Sequence, residues 1–439
     1  MIRLTNQNYC ATIVKIKSTV KLDGLDNLVG APLFGFTALI PKDYDLTKLY
    51  ILFTAETQLS ETYCHENNLF DKSDLNKDKS KKGYINSKRR VRAVKLKGNI
   101  SSAFLMPIES LGYTGLDLST LNEGDTFNYV DDEELCKKYV IRFQRTPGSG
   151  SSKQKQVRTR QLFNTKLFPE HIDTSHWARN SDKVSDDTYI YVSQKLHGSS
   201  FRLTNQKVID FPKWLVKLYN KGYGKYRLVK WAERLFRKTS YQLLAGSRTV
   251  VKIRDTDQSG FYSTDIWNQA LDRIGHLIPK NWAIYGELVG WAGQSPIQKN
   301  YTYECTPGTF DMYIYRIAII NEDGLSADLS FDAMKRWCHD NGLKICPEMW
   351  RGRKGDFKYE EYMDIRYVET KFPSCVNLSN RDTVDEGVVI RIDDGLTPSL
   401  YKAKSQKFLT HETKQLDDGV IDIESGEIQE GETSKFSTE

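Results

Sequence analysis

A lysine can act as a covalent nucleophile once its proton is removed, and Lys195 stands where such chemistry could be organised. It ends an apolar, strand-like run and opens Lys195-Leu196-His197-Gly198-Ser199-Ser200. The glycine allows close backbone approach to a phosphate, and the two hydroxyls can donate to one. Alone, the pattern also fits a solvated lysine before a turn. What gives it meaning is an ordered series downstream. Gly246-Ser247-Arg248-Thr249 sets a fixed cation after an apolar run, and Tyr285-Gly286-Glu287-Leu288 ends a strand pattern with a carboxylate. Met312-Tyr313-Ile314-Tyr315 reads as a strand with two tyrosines on one face. Asp385-Glu386-Gly387 brings a second carboxylate, and Tyr401-Lys402-Ala403-Lys404 places two lysines on one strand face. A nucleophilic amine, an arginine, two carboxylates, an aromatic face and paired lysines are the parts needed to bind a nucleoside triphosphate and attack its α-phosphate.

These motifs, in this order, resemble those of the covalent nucleotidyltransferases, the superfamily of ligases and capping enzymes. Within it, the chain is similar to ATP-dependent RNA ligases. The likeness covers roughly residues 165–410 and rests on six short motifs. It implies that Lys195 attacks ATP, releases pyrophosphate and carries AMP. The AMP then passes to a 5′-phosphate, which a 3′-hydroxyl attacks. By the same likeness Glu287 holds ribose, Tyr313 stacks on adenine, and Gln194 contacts the adenine edge. Glu386 helps hold Mg²⁺ or Mn²⁺ through water, and Arg248, Lys402 and Lys404 contact ribose or phosphate. Lys402 and Lys404 also join Lys195 as catalytic groups. His197 occupies an offset where many relatives carry a metal-binding aspartate, so it is a weak metal candidate. Ser200 replaces the asparagine or arginine of several branches. Nearby cations and a metal are expected to favour the neutral Lys195 amine.

The elements that must position these groups divide the chain. Residues 1–145 read as short β-rich runs, notably 49–54, separated by turns, and are expected to form an OB-like β-barrel. A Gly/Ser-rich linker covers 146–160. Residues 161–412 are expected to form an α+β nucleotidyltransferase domain of ATP-grasp-like antiparallel sheets with helices. Its strands fall at 283–289, 312–320, 387–392 and 400–404, with a helix near 333–341 stopped by Gly342. Residues 413–439 read as an acidic disordered tail. Only 35 residues follow Lys404, too few and too polar for the C-terminal domain of capping enzymes and DNA ligases, so any barrel is expected before the catalytic domain.

Residues 213–238 look like an insertion. They carry nine Lys or Arg and one acid, interleaved with aromatics and leucines, and two glycines divide them into two short helices. The favoured expectation is that the aromatics pack inward and the lysines face water. The other is a basic surface for nucleic acid, a membrane or a partner.

The 439 residues carry a net charge of +6, with a basic run at 76–97 and an acidic end. That balance suits a phosphate-rich partner. Seven dispersed cysteines without a Cys-x-x-Cys pair suit a reducing, cytoplasmic compartment. No apolar run reaches membrane-spanning length. The expected partner is RNA, including nicked duplex with an RNA 3′-hydroxyl strand, with no membrane and a monomeric state. Capping-type guanylyltransferase, DNA ligase and a retired RNA-binding fold are the alternatives.

Overall fold

The computed structural model describes residues 1–141, 165–210, 212–221, 223, 226–236, 238–252, 264–363 and 365–420. The expected 146–160 linker lies outside them. Among the described residues no helix is long and apolar enough to cross a membrane.

The N-terminal third is β-rich, as its turn spacing implies. Seven strands form one sheet in the order Thr126–Phe127, Ala11–Lys15, Leu49–Thr54, Ala103–Pro107, Phe36–Pro41, Leu28–Leu33, Val20–Lys21. The pairing runs as an open path, with one parallel contact at Ala103↔Ala38. Both faces are covered, because side chains alternate between two cores. Ile51 and Phe53 join Ile13, Tyr63 and Phe127 on one face, while Tyr50 and Leu52 join Val14, Ile40 and Leu409 on the other. Residues 71–82, polar enough to read as a loop, are anchored by a fully buried Asn76 that bonds Phe70 N, Phe70 O and Lys81 O.

Two mostly antiparallel sheets make the second part, giving an α+β architecture. One has the order Ser175–His176, Ser399–Lys404, Gly387–Ile392, Tyr189–Lys195, Glu348–Arg353. The main path of the other is Val251–Lys252, Lys238–Gly246, Ser199–Asp210, Trp282–Ala292, Phe310–Ile320, Ser326–Asp328. Helix Phe331–Asp340 buries Phe331, Met334 and Cys338, spaced three and four apart, and Ser330 caps it through Ala333 N. Helix Ile266–Ile274 buries Trp267, Leu271 and Ile274 in the same core. Residues 196–198 carry the chain from the first sheet to the second, so Lys195 sits at the seam between them.

The last helix corrects the expected boundary. Gln406–Asp417 is helical with Ser405 as its cap, so order extends past residue 412. Phe408 packs beside Leu196 and Tyr301, whereas Leu409 enters the core of the N-terminal sheet. One helix thus pins the two parts together. Its Thr413 donates to Glu56, and Asp417 pairs with the buried Arg90. The acidic residues beyond 420 lie outside the described residues.

Candidate active site

Strand register builds the site. Gly387 pairs with Lys195 on one side and Lys404 on the other, so these three lie in one row across the first sheet. Glu386 therefore falls between the two lysines. Its Oε2 is 2.8 Å from Lys195 Nζ, and its Oε1 is 3.8 Å from Lys404 Nζ. Two rows along, on the same face, Val389 lies between Ser193 and Lys402. Alternation puts Lys402 and Lys404 on a common face. Gly387 has a φ of +144°, and a Cβ there would meet Ala403 O at 1.9 Å, so the row closes only with glycine at this position.

The second sheet supplies the facing carboxylate. Ser200, Glu287 and Tyr313 are opposite one another on adjacent strands. Glu287 accepts from Gly198 N at 3.1 Å and from Ser200 Oγ at 3.4 Å. A Cβ on Gly198 would lie 2.1 Å from Leu288 O, so this glycine is required by the close approach of two protein strands.

A cleft of about 620 Å³ collects Lys195, His197, Arg248, Glu287, Glu386, Lys402 and Lys404. The N-terminal part walls it with residues 4–9 and Lys138. Asn8 and Gln7 reach across to Thr174 O and Ser175 Oγ, which holds that wall in place. Tyr9, Lys138 and Glu412 were not foreseen. Tyr9 and Lys138 come from a region whose sequence shows only β-strand spacing. Glu412 lies at the expected tail boundary, and its one signal is helical spacing from the Ser405 cap.

Charge is closely paired in this cleft. Burial alone would raise the Glu386 carboxyl, but Lys195, His197 and Lys404 hold it well below the usual carboxylate range. Desolvation pulls Lys195 down, yet Glu386 and Glu287 outweigh it and leave its pKa above the ordinary lysine value. The expected cationic field is therefore overruled by these two carboxylates. Lys404 is also raised: desolvation pulls it down, but Glu412 grips its ammonium at 2.7 and 2.9 Å and outweighs that loss. Lys402 differs. Desolvation, then Lys404, Lys195, Lys138 and Arg248, push it down to about 7. Arg248 is oriented by Asp173 at 2.8 Å.

Three expectations change in detail. Both N–H groups of the Gln194 side chain are taken, by Val376 O and Asp385 Oδ1 at 3.0 Å each, and Val376 N donates back to its oxygen. It faces the opposite side of the strand from Lys195, so no amide hydrogen remains for an adenine edge. Tyr313 is buried among Leu196, Val289 and Cys346, and Tyr315 lines the cleft instead. A register shift between Tyr285 and Gly286, opposite 314–316, breaks the simple alternation that put both tyrosines on one face. His197 directs Nδ1 at Glu386 Oε2, 3.3 Å away, with its ring edge-on to Tyr301 and Phe408. That makes it a partner of the carboxylate. Among the described residues no group of three or more His, Cys, Asp or Glu could hold a metal ion.

The arrangement combines the Lys195 ammonium, two facing carboxylates and a concentration of further cations. The RNA ligase family matches residues 188–407, half of the chain, and the chain belongs to that family. No curated protein matches it. Among solved structures it is similar to a point mutant of Naegleria gruberi RNA ligase with AMP and Mn, at 16% identity and a TM-score of 0.56, over 91% of this chain and 98% of that one. Another mutant of that ligase, with ATP and Mn, gives 16% and 0.55 over the same shares. The ligase with PPi gives 16% and 0.54, over 93% and 100%. At this identity the likeness speaks for a shared fold.

Proposed function

We propose that this RNA ligase uses ATP to join a 3′-hydroxyl to a 5′-phosphate through a lysyl-AMP at Lys195, in the sealing of RNA nicks or breaks. The carrying observation is Lys195 Nζ in a cleft 2.8 Å from Glu386, with Lys402 lining the same face. Mutants of the Naegleria ligase were solved with AMP or ATP and Mn, which agrees with this reading.

In the first step the neutral Lys195 amine attacks the α-phosphorus. The bond to the bridging oxygen breaks, pyrophosphate leaves with the electron pair, and the amine loses a proton. Arg248, Lys402 and Lys404 stabilise the phosphate charge, where catalysis is chiefly positioning and electrostatics. Glu287 accepts from ribose hydroxyls, and Tyr315 offers the aromatic wall for the base. In the second step an RNA 5′-phosphate oxygen attacks the same phosphorus, and the P–N bond breaks back to Lys195. In the third the 3′-oxygen attacks the activated 5′-phosphate, and AMP leaves.

A divalent cation fits this cleft. Glu386 Oε2 is buried and lacks an aligned hydrogen bond, although Lys195 is close. One carboxylate with phosphate and water oxygens is the ligand chemistry of Mg²⁺ or Mn²⁺. Bound there, the ion supplies positive charge that offsets the Glu386 field on Lys195 and so favours the neutral amine.

The test is incubation with α-labelled ATP or GTP, after intact mass has shown whether the protein already carries AMP. Label from ATP that vanishes in Lys195→Ala, followed by sealing of a 5′-phosphorylated RNA nick, is expected. Label from GTP alone, or none from either nucleotide, would overturn the proposal.

A further inference from the structure

The helices Lys213–Asn220 and Arg227–Phe236 make an arm that exposes large apolar side chains among basic ones. Strand Ser199–Asp210 pairs with Trp282–Ala292 only through Thr204. Asn205 O still accepts from Asn281 N, and among the described residues 206–210 then pair with 238–242 as a two-stranded ribbon. Helices Lys213–Asn220 and Arg227–Phe236 sit at its end. At about 3.3 Å per residue, the ribbon's end lies roughly 33 Å from Ser200 in the cleft.

The favoured inward packing of the aromatics is not what the helices do. Val229 and Ala232 pack against Leu215 and Leu218 in a small core between the two helices. Leu228, Trp231 and Leu235, at spacings of three and four, form a separate stripe exposed to 78%, 62% and 61%. Trp214 and Phe236, both exposed, meet edge-on at 5.5 Å, and Tyr223 and Tyr226 project at the turn. Lys217, Lys221, Arg227 and Lys230 are exposed around them.

We propose that this arm docks on an anionic lipid bilayer, with Leu228, Trp231 and Leu235 entering the boundary between headgroups and acyl chains and the lysines and arginines meeting lipid phosphates. This departs from the expectation that no membrane is involved. Charge complementarity selects the occupant: 213–238 carries nine basic residues against one acid. A second copy of this arm would set those charges against themselves across a two-fold axis. Nucleic acid would satisfy the cations, but leucine offers phosphate or base no donor, charge or π-face, and the stripe contains two of them.

Full-length protein is floated with phosphatidylcholine vesicles, with and without one-third phosphatidylserine. Binding to the anionic vesicles alone is expected. Leu228→Ser/Trp231→Ser/Leu235→Ser should weaken it by about a hundredfold or more. Lys217→Glu/Lys221→Glu/Arg227→Glu/Lys230→Glu should abolish it. Both variants should retain adenylylation of Lys195, which reports a folded catalytic part. Should the triple variant misfold, Leu228→Trp decides, since it must tighten vesicle binding. The proposal is overturned if wild type does not float, or if the triple variant floats as well as wild type. Weaker RNA binding by the charge-reversed variant without flotation of wild type would assign the arm to nucleic acid. Lipid-free self-association that only the triple variant loses would assign it to a second copy.

Discussion

The cleft and the arm are both rich in cations and aromatics, and they treat them oppositely. In the cleft, most charges are withdrawn from water and answered: Glu386 lies among Lys195, Lys404 and His197, and Glu412 holds Lys404. On the arm, cations stand in water and the apolar side chains stand beside them. Buried charge demands a partner because desolvation costs several kcal/mol per ion. Exposed cations demand none, so a basic surface records what it meets outside the molecule. The same residue types therefore mean catalysis when paired and docking when open.

The strongest way to break this comparison lies in the helix that closes the cleft. Arg90 is 1% exposed and bonds Thr413 O at 3.1 Å, with Glu56 and Asp417 as its acidic partners. Arg90→Ala leaves Glu56 buried without its cation and is expected to cost about 3–5 kcal/mol in denaturant unfolding. Glu56 is already raised to about 7, first by desolvation and then by Glu412. A carboxyl raised above its unfolded value destabilises the folded state as pH rises from about 4.5 through 7, so part of this cost should disappear at pH 5. A loss below about 1 kcal/mol at pH 7.5 would mean the pairing does little.

Glu386→Ala comes next. Adenylylation should fall by about 10²–10³, yet Lys195 loses the carboxylate that lifts it most and its pKa should drop. Chemical acetylation of Lys195, followed by mass spectrometry at pH 8, should then become faster. If both rates fell, Glu386 would be serving the fold and not the amine.

Lys402 gives a smaller, signed effect. Its pKa of about 7 reflects desolvation and neighbouring cations. A bound phosphate adds negative charge and raises it, so nucleotide binding at pH 8 should take up close to one proton. Calorimetry in buffers of different ionisation enthalpy reads that number, and Lys402→Met should remove most of it. In the free protein the folded state binds fewer protons at Lys402 than the unfolded chain does. Its contribution to stability therefore rises with pH between about 7 and 10.4.

Much of this cleft was legible because strand periodicity fixes which residues share a face. The pair Lys402 and Lys404, the strand at Gly387–Ile392, and the carboxylates at 287 and 386 follow from local spacing. Contacts made by chain-distant residues were not legible. Nothing near Tyr9 or Lys138 tells of Lys195, and Glu412 stood at the edge of an expected tail because the chain turns acidic beyond it. Tyr315 was missed for a different reason: one register shift defeats a period-two argument. On the arm, the wheel positions of Leu228, Trp231 and Leu235 were readable, but whether that face is covered depends on a second element the sequence does not place.

The arm's two apolar sets make the finest test. Val229 is 7% exposed within the small helix–helix core, and Leu228, its chain neighbour, is 78% exposed. Val229→Ser puts a hydroxyl into the apolar cluster of Leu215, Leu218 and Ala232, at a cost of about 1–3 kcal/mol. Leu228→Ser removes a side chain that touches mostly water and should stay within about 0.5 kcal/mol. Hydrogen exchange of the amides in the two helices separates these: faster exchange in Val229→Ser and an unchanged pattern in Leu228→Ser. With anionic vesicles present the order should reverse for binding, since Leu228 is then the residue being buried. Equal exchange in both variants would show that the stripe is already covered by the protein itself, and the contrast between cleft and arm would fall.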